Sequence, residues 1–192
     1  MTFSRALCIG FLLLLGVSSF RVWSDTVAHT EPPSPVVAPT YTVALTAYNA
    51  VAWQTSAHPL VTASGAYSNP ETIAARSQDL ADELPFGTII ELDGATVLPD
   101  GTCGYAVIEP LIGYRVIEDT MNVRYTNRID VLLDTKANYA TPDGGAVNAA
   151  NVLGVCNGVT IKVVGFVGKQ HLPKTQAELA ALVEKGTPLA VK

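Results

Sequence analysis

The sequence predicts a small, mainly β domain that closes into a barrel and carries one or two short helices. From Tyr41 to Tyr48, alternate side chains form an apolar face and a more polar face, as in a half-buried strand. Further short strand-like segments follow, separated by Gly, Pro, Asn and Asp residues that favour turns. Six or seven short strands with this punctuation are typical of a small closed barrel.

The chain begins with a segment typical of export. Arg5 is followed by an apolar run from Ala6 to Val17, and Val22-Trp23-Ser24 then resembles a cleavage site. This pattern predicts a signal peptide over residues 1–24. The apolar run is shorter than the roughly 20 residues that span a bilayer, so an uncleaved N-terminal anchor is the alternative. Either outcome places the protein outside the cytoplasm, in the cell envelope, periplasmic or extracellular, with a membrane tether if the leader is retained.

The remaining residues divide into a linker, a domain and a tail. Residues 25–40 are predicted to form a Pro-rich linker, because four prolines between Thr30 and Thr40 favour an extended chain. Residues 41–167 hold nearly all the β pattern and form the predicted domain. Residues 168–192 form a tail with one short helix, which begins with Thr175 and Glu178 as a capping box and ends at Gly186.

Seven segments of the domain have the length and composition of short strands. Each is rich in Val, Ile, Tyr, Thr or Ala and ends near residues that favour turns. A further helix is expected at Gly145–Leu153, with Asp143 as its N-cap and Gly154 as its end. The predicted strands are Tyr41–Tyr48, Thr72–Ala75, Gly87–Leu92, Tyr105–Ile108, Tyr114–Glu118, Arg128–Leu133 and Val159–Val167.

The composition excludes several classes of protein. Hydrophobic residues make up 48% of the chain and charged residues 15%, which excludes disorder of the whole chain. The net charge of −5 gives no basic surface for nucleic acid, so we expect no nucleic-acid partner. Three scattered histidines and three cysteines without C-x-x-C spacing predict neither a metal nor a cofactor. We expect the protein to be a monomer.

The cysteines predict one disulfide. Cleavage of the leader would remove Cys8 and leave Cys103 and Cys156 as an even pair in an oxidising compartment, where disulfides form. We therefore expect a bond between Cys103 and Cys156. The alternative is one buried thiol and one thiol in contact with solvent.

Two aspartates are the candidates for chemistry. Asp119 follows one predicted strand, and Asp130 lies inside the next strand between apolar residues. In a structural interpretation, Asp119 caps the turn and Asp130 accepts backbone hydrogen bonds or pairs with Arg124 or Arg128. In a functional interpretation, burial raises the pKa of one carboxyl group so that it serves as a general acid while the other orients it. The residues alone leave both interpretations open.

An ordered set of motifs resembles a known family, the 3D domain, which is named for three aspartates. The resemblance implies a six-stranded double-psi β-barrel over residues 41–167, as in rare lipoprotein A and the catalytic part of membrane-bound lytic transglycosylase A. The chain is most similar to the exported, single-domain bacterial branch of this family. The matching motifs are Thr46-Ala47-Tyr48-Asn49, Thr62-Ala63-Ser64-Gly65, Ile73-Ala74-Ala75, Leu84-Pro85-Phe86-Gly87-Thr88, Val116-Ile117-Glu118-Asp119-Thr120 and Asn127-Arg128-Ile129-Asp130-Val131.

The resemblance implies that the protein acts on peptidoglycan glycan strands. By this similarity Asp130 is the single catalytic acid and base, and it cleaves the bond between N-acetylmuramic acid and N-acetylglucosamine with formation of a 1,6-anhydro ring. Asp119 matches the second family aspartate, whereas the first is either Asp79 or Asp82.

Several further residues are candidates for contact with the substrate. Thr46 and Tyr48 share one strand face that lines the implied groove, and Thr88 and Asp82 are the remaining substrate-binding candidates. Trp53 and Tyr67 lie in loops where they either stack on sugar rings or pack locally. A non-catalytic peptidoglycan-binding barrel and a structural envelope module are the alternative functions.

Overall fold

The computed structural model describes residues 38–94 and 103–186, which belong to one compact unit spanning 36–192. The predicted leader at 1–24 and the predicted linker at 25–40, apart from residues 38–40, lie outside the described residues. No helix within the two described ranges has the length and apolar character needed to cross a membrane.

A closed barrel of six strands confirms the predicted fold class. Its strands neighbour each other in the order β1-β5-β2-β4-β3-β8, with β1 parallel to β5, β2 parallel to β4 and the other four pairs antiparallel. Every pair in this order joins one of the first three barrel strands to one of the last three, so the two halves of the chain interlock around the barrel. The strands are β1 (Thr40–Tyr48), β2 (Ile73–Arg76), β3 (Thr88–Asp93), β4 (Arg115–Thr120), β5 (Arg128–Leu132) and β8 (Cys156–Phe166), and a separate hairpin holds β6 (Asn138–Ala140) and β7 (Ala146–Asn148).

Alternation along the strands produces a barrel interior and two smaller clusters on the outer face. The interior is apolar and includes Leu45, Ile117, Ile129 and Ile161. One outer cluster is closed over by the C-terminal tail, and its residues are Ile89, Val116, Val167 and Leu179. The other outer cluster contains Tyr48, Ile73, Ala75, Met121 and Leu132, and it forms the floor of the site described below.

Three short α-helices accompany the barrel: α1 (Tyr105–Ile112), α2 (Ala149–Leu153) and α3 (Gln176–Glu184). Helix α3 confirms the predicted tail helix, because the Thr175 hydroxyl accepts a bond from the backbone N–H of Glu178 at 3.2 Å. It buries Leu179 fully against the barrel, which stabilises the fold by about 2 kcal/mol.

The prediction of a strand at Tyr105–Ile108 is wrong, because these residues belong to α1. Its buried residues, Tyr105, Ile108 and Ile112, are spaced three and four apart, which is the helical period. A short apolar run is compatible with either structure, and here contact with α2 decides between them. A Cβ atom at Gly104 would lie 2.0 Å from the Val152 carbonyl oxygen, so the start of α1 needs glycine to approach α2.

The helix predicted at Gly145–Leu153 is shorter than expected. Residues Ala146–Asn148 pair with Asn138–Ala140 as a hairpin, and Asp143 lies in its turn rather than at a helix N-terminus. The N-cap is Asn148, whose side-chain oxygen accepts a bond from Ala150 N–H at 3.0 Å. Gly154 ends the helix, as predicted, with a positive φ of 64°.

Cys103 and Cys156 form a disulfide with a Cα separation of 5.0 Å. This distance lies within the range that a disulfide requires. The bond connects the segment before α1 to the first residue of β8. It therefore fixes α1 to the barrel across a sequence separation of 53 residues.

Candidate active site

Four residues form a row across adjacent strands on the outer face of the barrel. Thr46 in β1 is the register partner of Asp130 in β5. Asp130 lies opposite Ala75 in β2, and Ala75 lies opposite Asp119 in β4. We call this set the carboxylate row. The two aspartates therefore share one face of the sheet with Ala75 between them, and the usual strand spacing places their backbones about 10 Å apart.

A bulge in β4 aims Asp119 into this row. The register between β2 and β4 shifts after Ala74 and Ile117, so that Ala75 pairs with Asp119 and Glu118 is the extra residue. Without the extra residue, strict alternation would direct Asp119 to the barrel interior with Ile117. The bulge therefore turns a carboxylate away from an apolar core and towards the outer face.

Asp119 is held by three hydrogen-bond donors. Its Oδ2 accepts from the Tyr48 hydroxyl at 2.9 Å. Its Oδ1 accepts from the backbone N–H groups of Ala63 and Thr120, both at 2.9 Å. With both oxygens accepting, Asp119 is fixed in orientation and is poorly placed to attack a substrate.

Asp130 has a different environment. Its Oδ1 accepts a hydrogen bond from the Thr46 hydroxyl at 2.8 Å, and Oδ2 has no partner within the described residues. Desolvation by burial, with a smaller contribution from the Asp119 charge, raises the pKa of Asp130 to about 6 against the lowering effects of Thr46 and Arg128. Asp130 is therefore the carboxyl group with a free oxygen and a proton that titrates near neutral pH.

Tyr48 connects the two halves of the row. It lies two residues after Thr46 on the same face of β1, and its ring packs in the outer cluster with Ile73 and Leu132. Burial, and then the neighbouring Asp119 carboxylate, raise the pKa of the Tyr48 hydroxyl well above its ordinary value. The hydroxyl therefore stays protonated and acts as a donor to Asp119.

The carboxylate row opens into a groove of about 740 Å³. We call it the carboxylate groove. Asp130, Ala75 and Asp119 of the row line it together with Tyr48 and Trp53, and 83% of the Trp53 surface is exposed. Thr46 does not line the groove, contrary to the prediction, because its hydroxyl is engaged with Asp130. The opposite rim is formed by the loop between β4 and β5, which contributes Asn122, Arg124 and Tyr125. An exposed aromatic ring beside two carboxylates is typical of carbohydrate-binding sites, where sugar faces pack on aromatic rings.

Two arginines stack on Tyr125 at the rim. The guanidinium carbon of Arg124 lies 4.8 Å from the ring centroid, and that of Arg128 lies 5.0 Å from it. The Arg124 Nη2 also donates to the Tyr125 hydroxyl at 2.8 Å. This stack orders the loop that carries the rim, and it places the positive charge of Arg128 near Asp130.

The remaining predicted site residues lie outside the groove. Thr88 is buried, and its hydroxyl donates to the Pro85 carbonyl at 2.7 Å, so it holds a turn rather than a substrate. Asp82 is exposed, and its charge favours the protonated form of Arg76. Neither residue lines the carboxylate groove.

Asp79, the other candidate for the first family aspartate, also lies outside the groove but contacts the residue before β5. Its Oδ2 accepts from the backbone N–H of Asn127 at 2.8 Å, and Asn127 has a positive φ of 47° directly before β5. The Ser77 side chain, and to a lesser degree this bond, hold the pKa of Asp79 below its ordinary value. Asp79 thus orients the start of the strand that carries Asp130, whereas Asp82 makes no such contact.

Two contributors to the site are absent from the sequence candidates. Ala63 donates its backbone N–H to Asp119, and its turn is closed by the Thr62 and Ser64 hydroxyl groups 3.1 Å apart. The Thr-Ala-Ser-Gly motif is the signal for that turn, because Ser and Thr favour such side-chain bonds. The Ala75 side chain is a methyl group with no polar atom, and Ala75 matters only because it lies between Asp130 and Asp119 in the row.

No metal site accompanies the groove, since residues 38–94 and 103–186 bring together no three His, Cys, Asp or Glu side chains that would hold an ion. Comparisons of the chain with family models, curated proteins and solved structures find no match.

Proposed function

We propose that this protein is an exported peptidoglycan-active enzyme that cleaves glycan strands between N-acetylmuramic acid and N-acetylglucosamine, as lytic transglycosylases do. The carboxylate row carries the proposal, because it places a carboxyl group with a raised pKa and one unpartnered oxygen beside a carboxylate that accepts three hydrogen bonds, both in an open groove. The motif resemblance to the 3D domain and the predicted export leader support the same substrate, because peptidoglycan lies outside the cytoplasm.

Asp130 acts first as an acid and then as a base in this proposal. Protonated Asp130 donates to the glycosidic oxygen while the bond from that oxygen to C1 of muramic acid breaks. The resulting carboxylate accepts the proton of the C6 hydroxyl group as its oxygen attacks C1 and closes the 1,6-anhydro ring. Asp130 ends protonated, and no water is consumed.

The hydrogen bonds of the row favour this reaction over hydrolysis by two carboxylates. An ordinary glycosidase needs a second carboxylate as nucleophile or as base for water. Asp119 already accepts three hydrogen bonds, so its oxygens are committed to Tyr48 and to the backbone. Its charge lies near the position where the sugar ring becomes cationic, which stabilises that charge by electrostatic attraction.

The test is the product released from purified sacculi. The full chain should release muropeptides with 1,6-anhydro ends, which mass spectrometry distinguishes from the reducing ends that a hydrolase leaves. Asp130→Asn should abolish the release, because the amide keeps the shape of the side chain and cannot donate the proton. Asp143→Asn is the matched control, since Asp143 lies in the β6–β7 turn outside the groove.

A non-catalytic glycan-binding barrel is the second candidate. The exposed Trp53 ring in the groove favours it, because an aromatic platform binds sugars without any acid. If the chain co-sediments with sacculi, releases no anhydro ends at any pH and binds equally well as Asp130→Asn, this candidate replaces the enzyme. Reducing ends in place of anhydro ends would instead contradict the proposed ring closure.

A further inference from the structure

A second cavity of about 640 Å³ lies between the loop before β2 and the C-terminal tail. We call it the Tyr67 cavity. Its lining includes Tyr67, Asn69, Lys169, Leu172 and Lys174. None of these residues belongs to the carboxylate row or lines the carboxylate groove.

The two cavities share a wall. Val61 lines the carboxylate groove, Tyr67 lines the second cavity, and the two residues form an antiparallel β-bridge. The same small hairpin is closed by a bond from the N–H of Thr62 to the carbonyl of Ala66 at 2.9 Å. The two cavities therefore lie on either side of this hairpin.

The cavity is held open by bonds between its two sides. The Asn69 side chain donates to the Lys174 carbonyl at 2.8 Å, and the buried Thr72 hydroxyl donates to the Pro173 carbonyl at 3.2 Å. These bonds fix the tail against the loop before any ligand binds. A preformed concave site loses less entropy on binding than one that must be assembled.

The chemistry of the lining suits an anionic sugar polymer. Tyr67 is 66% exposed, so one face of its ring is available for a sugar. Lys169 and Lys174 bring two exposed positive charges to the cavity in a chain of net charge −5. Lys169 is positioned by a bond from its Nζ to the Ser64 carbonyl at 3.0 Å, whereas the Lys174 ammonium group has no partner within the described residues.

We propose that the Tyr67 cavity is a second subsite, which binds the continuation of the glycan strand held in the carboxylate groove. A sugar of the strand stacks on Tyr67, and carboxylates of its attached peptides bind at Lys169 and Lys174. This inference rests on the proposed function, since it assumes that the groove takes peptidoglycan. It predicts that long strands bind more tightly than short strands of one or two disaccharides.

The test measures binding in the full chain that carries Asp130→Asn, so that cleavage does not consume the ligand. The probes are purified soluble glycan strands with peptides, separated into a short fraction of one or two disaccharides and a long fraction. Tyr67→Ala in the Asp130→Asn chain should lower the affinity for the long fraction by about 2- to 10-fold, which is the loss expected for one aromatic contact. The same substitution should leave the affinity for the short fraction unchanged.

Two further variants separate the contributions. Lys174→Gln should weaken the binding of long strands with peptides more than that of long strands without peptides, because the latter have lost the peptide carboxylates and keep only the lactyl carboxylates of muramic acid. Val107→Ala is the matched control, since Val107 is exposed on α1 and lines neither cavity. Thermal unfolding of each variant verifies that the fold is intact.

The outcomes distinguish the subsite from the function itself. A loss confined to long strands supports the second subsite. Equal effects of Tyr67→Ala on both fractions, or no effect on either, overturn the subsite and leave the proposed function standing. If neither fraction binds to the Asp130→Asn chain, the proposed function and the subsite are both overturned.

Discussion

Replacing Asp130 with asparagine should make the protein more stable at neutral and alkaline pH. Asp130 is ionised above its pKa of about 6, and desolvation penalises that charge in the folded state. The amide group that replaces the carboxylate keeps an oxygen to accept the Thr46 hydroxyl bond, which spans 2.8 Å in the native protein. The substitution thus removes a buried charge without removing the hydrogen bond of the row.

The size of the effect follows from the two pKa values. Asp130 has an ordinary value of 3.8 when the chain is unfolded and about 6 when folded. Between these values the folded state binds more protons, so stability falls as pH rises and the penalty is complete above about pH 6. A difference of about 2 pH units corresponds to at most about 3 kcal/mol, and partial solvent access reduces it to about 1 to 3 kcal/mol.

The assay is thermal unfolding of the native chain and the variant across a range of pH. Asp130→Asn should raise Tm by about 2 to 4 °C per kcal/mol at about pH 8, and it should change Tm little at about pH 4. Asp119→Asn is the contrasting control and should lower stability by about 1 to 3 kcal/mol, because its amide group meets hydrogen-bond donors. A lower Tm for Asp130→Asn at about pH 8 would show that Asp130 is a structural residue and not an acid with a raised pKa.

Three other perturbations have definite expected results. Glycan cleavage should be fastest at mildly acidic pH and should fade as pH rises through about 6, where Asp130 loses its proton; a rate that rises towards pH 8 in sacculus digests would contradict this. Tyr48→Phe removes one hydrogen-bond donor to the Asp119 carboxylate, and the loss of one bond to a charged group should lower kcat by about 10- to 100-fold. The circular dichroism spectrum of this variant should be unchanged. Replacing Cys103 and Cys156 by Ala should lower the free energy of unfolding by about 4 kcal/mol in denaturant titrations, and an unchanged midpoint would contradict a stabilising cross-link.

The local parts of this site could be predicted from the sequence, whereas its assembly could not. Alternation along a strand places Thr46 and Tyr48 on one face. Asp130 is unusual because it lies among apolar residues of a predicted strand. Ala75 could not be recognised, because its importance arises from register between strands that are distant in the chain. Thr88 is a candidate only by its motif, and the structure assigns its hydroxyl to the turn that the same motif forms.

The bulge in β4 explains why the site lies on the outer face of a barrel whose interior is mostly apolar. A carboxylate inside the barrel would need several donors in a space filled by residues such as Leu45 and Ile129. One extra residue, Glu118, changes the direction of Asp119 and leaves the alternation of β2 and β5 intact. Glu118 itself is buried with its Oε2 unpartnered among the described residues, and burial raises its pKa. A buried, unpartnered carboxyl oxygen in Glu118 lowers the local stability of β4. Such a cost is expected at a functional site, and here the bulge that causes it directs Asp119 into the carboxylate row.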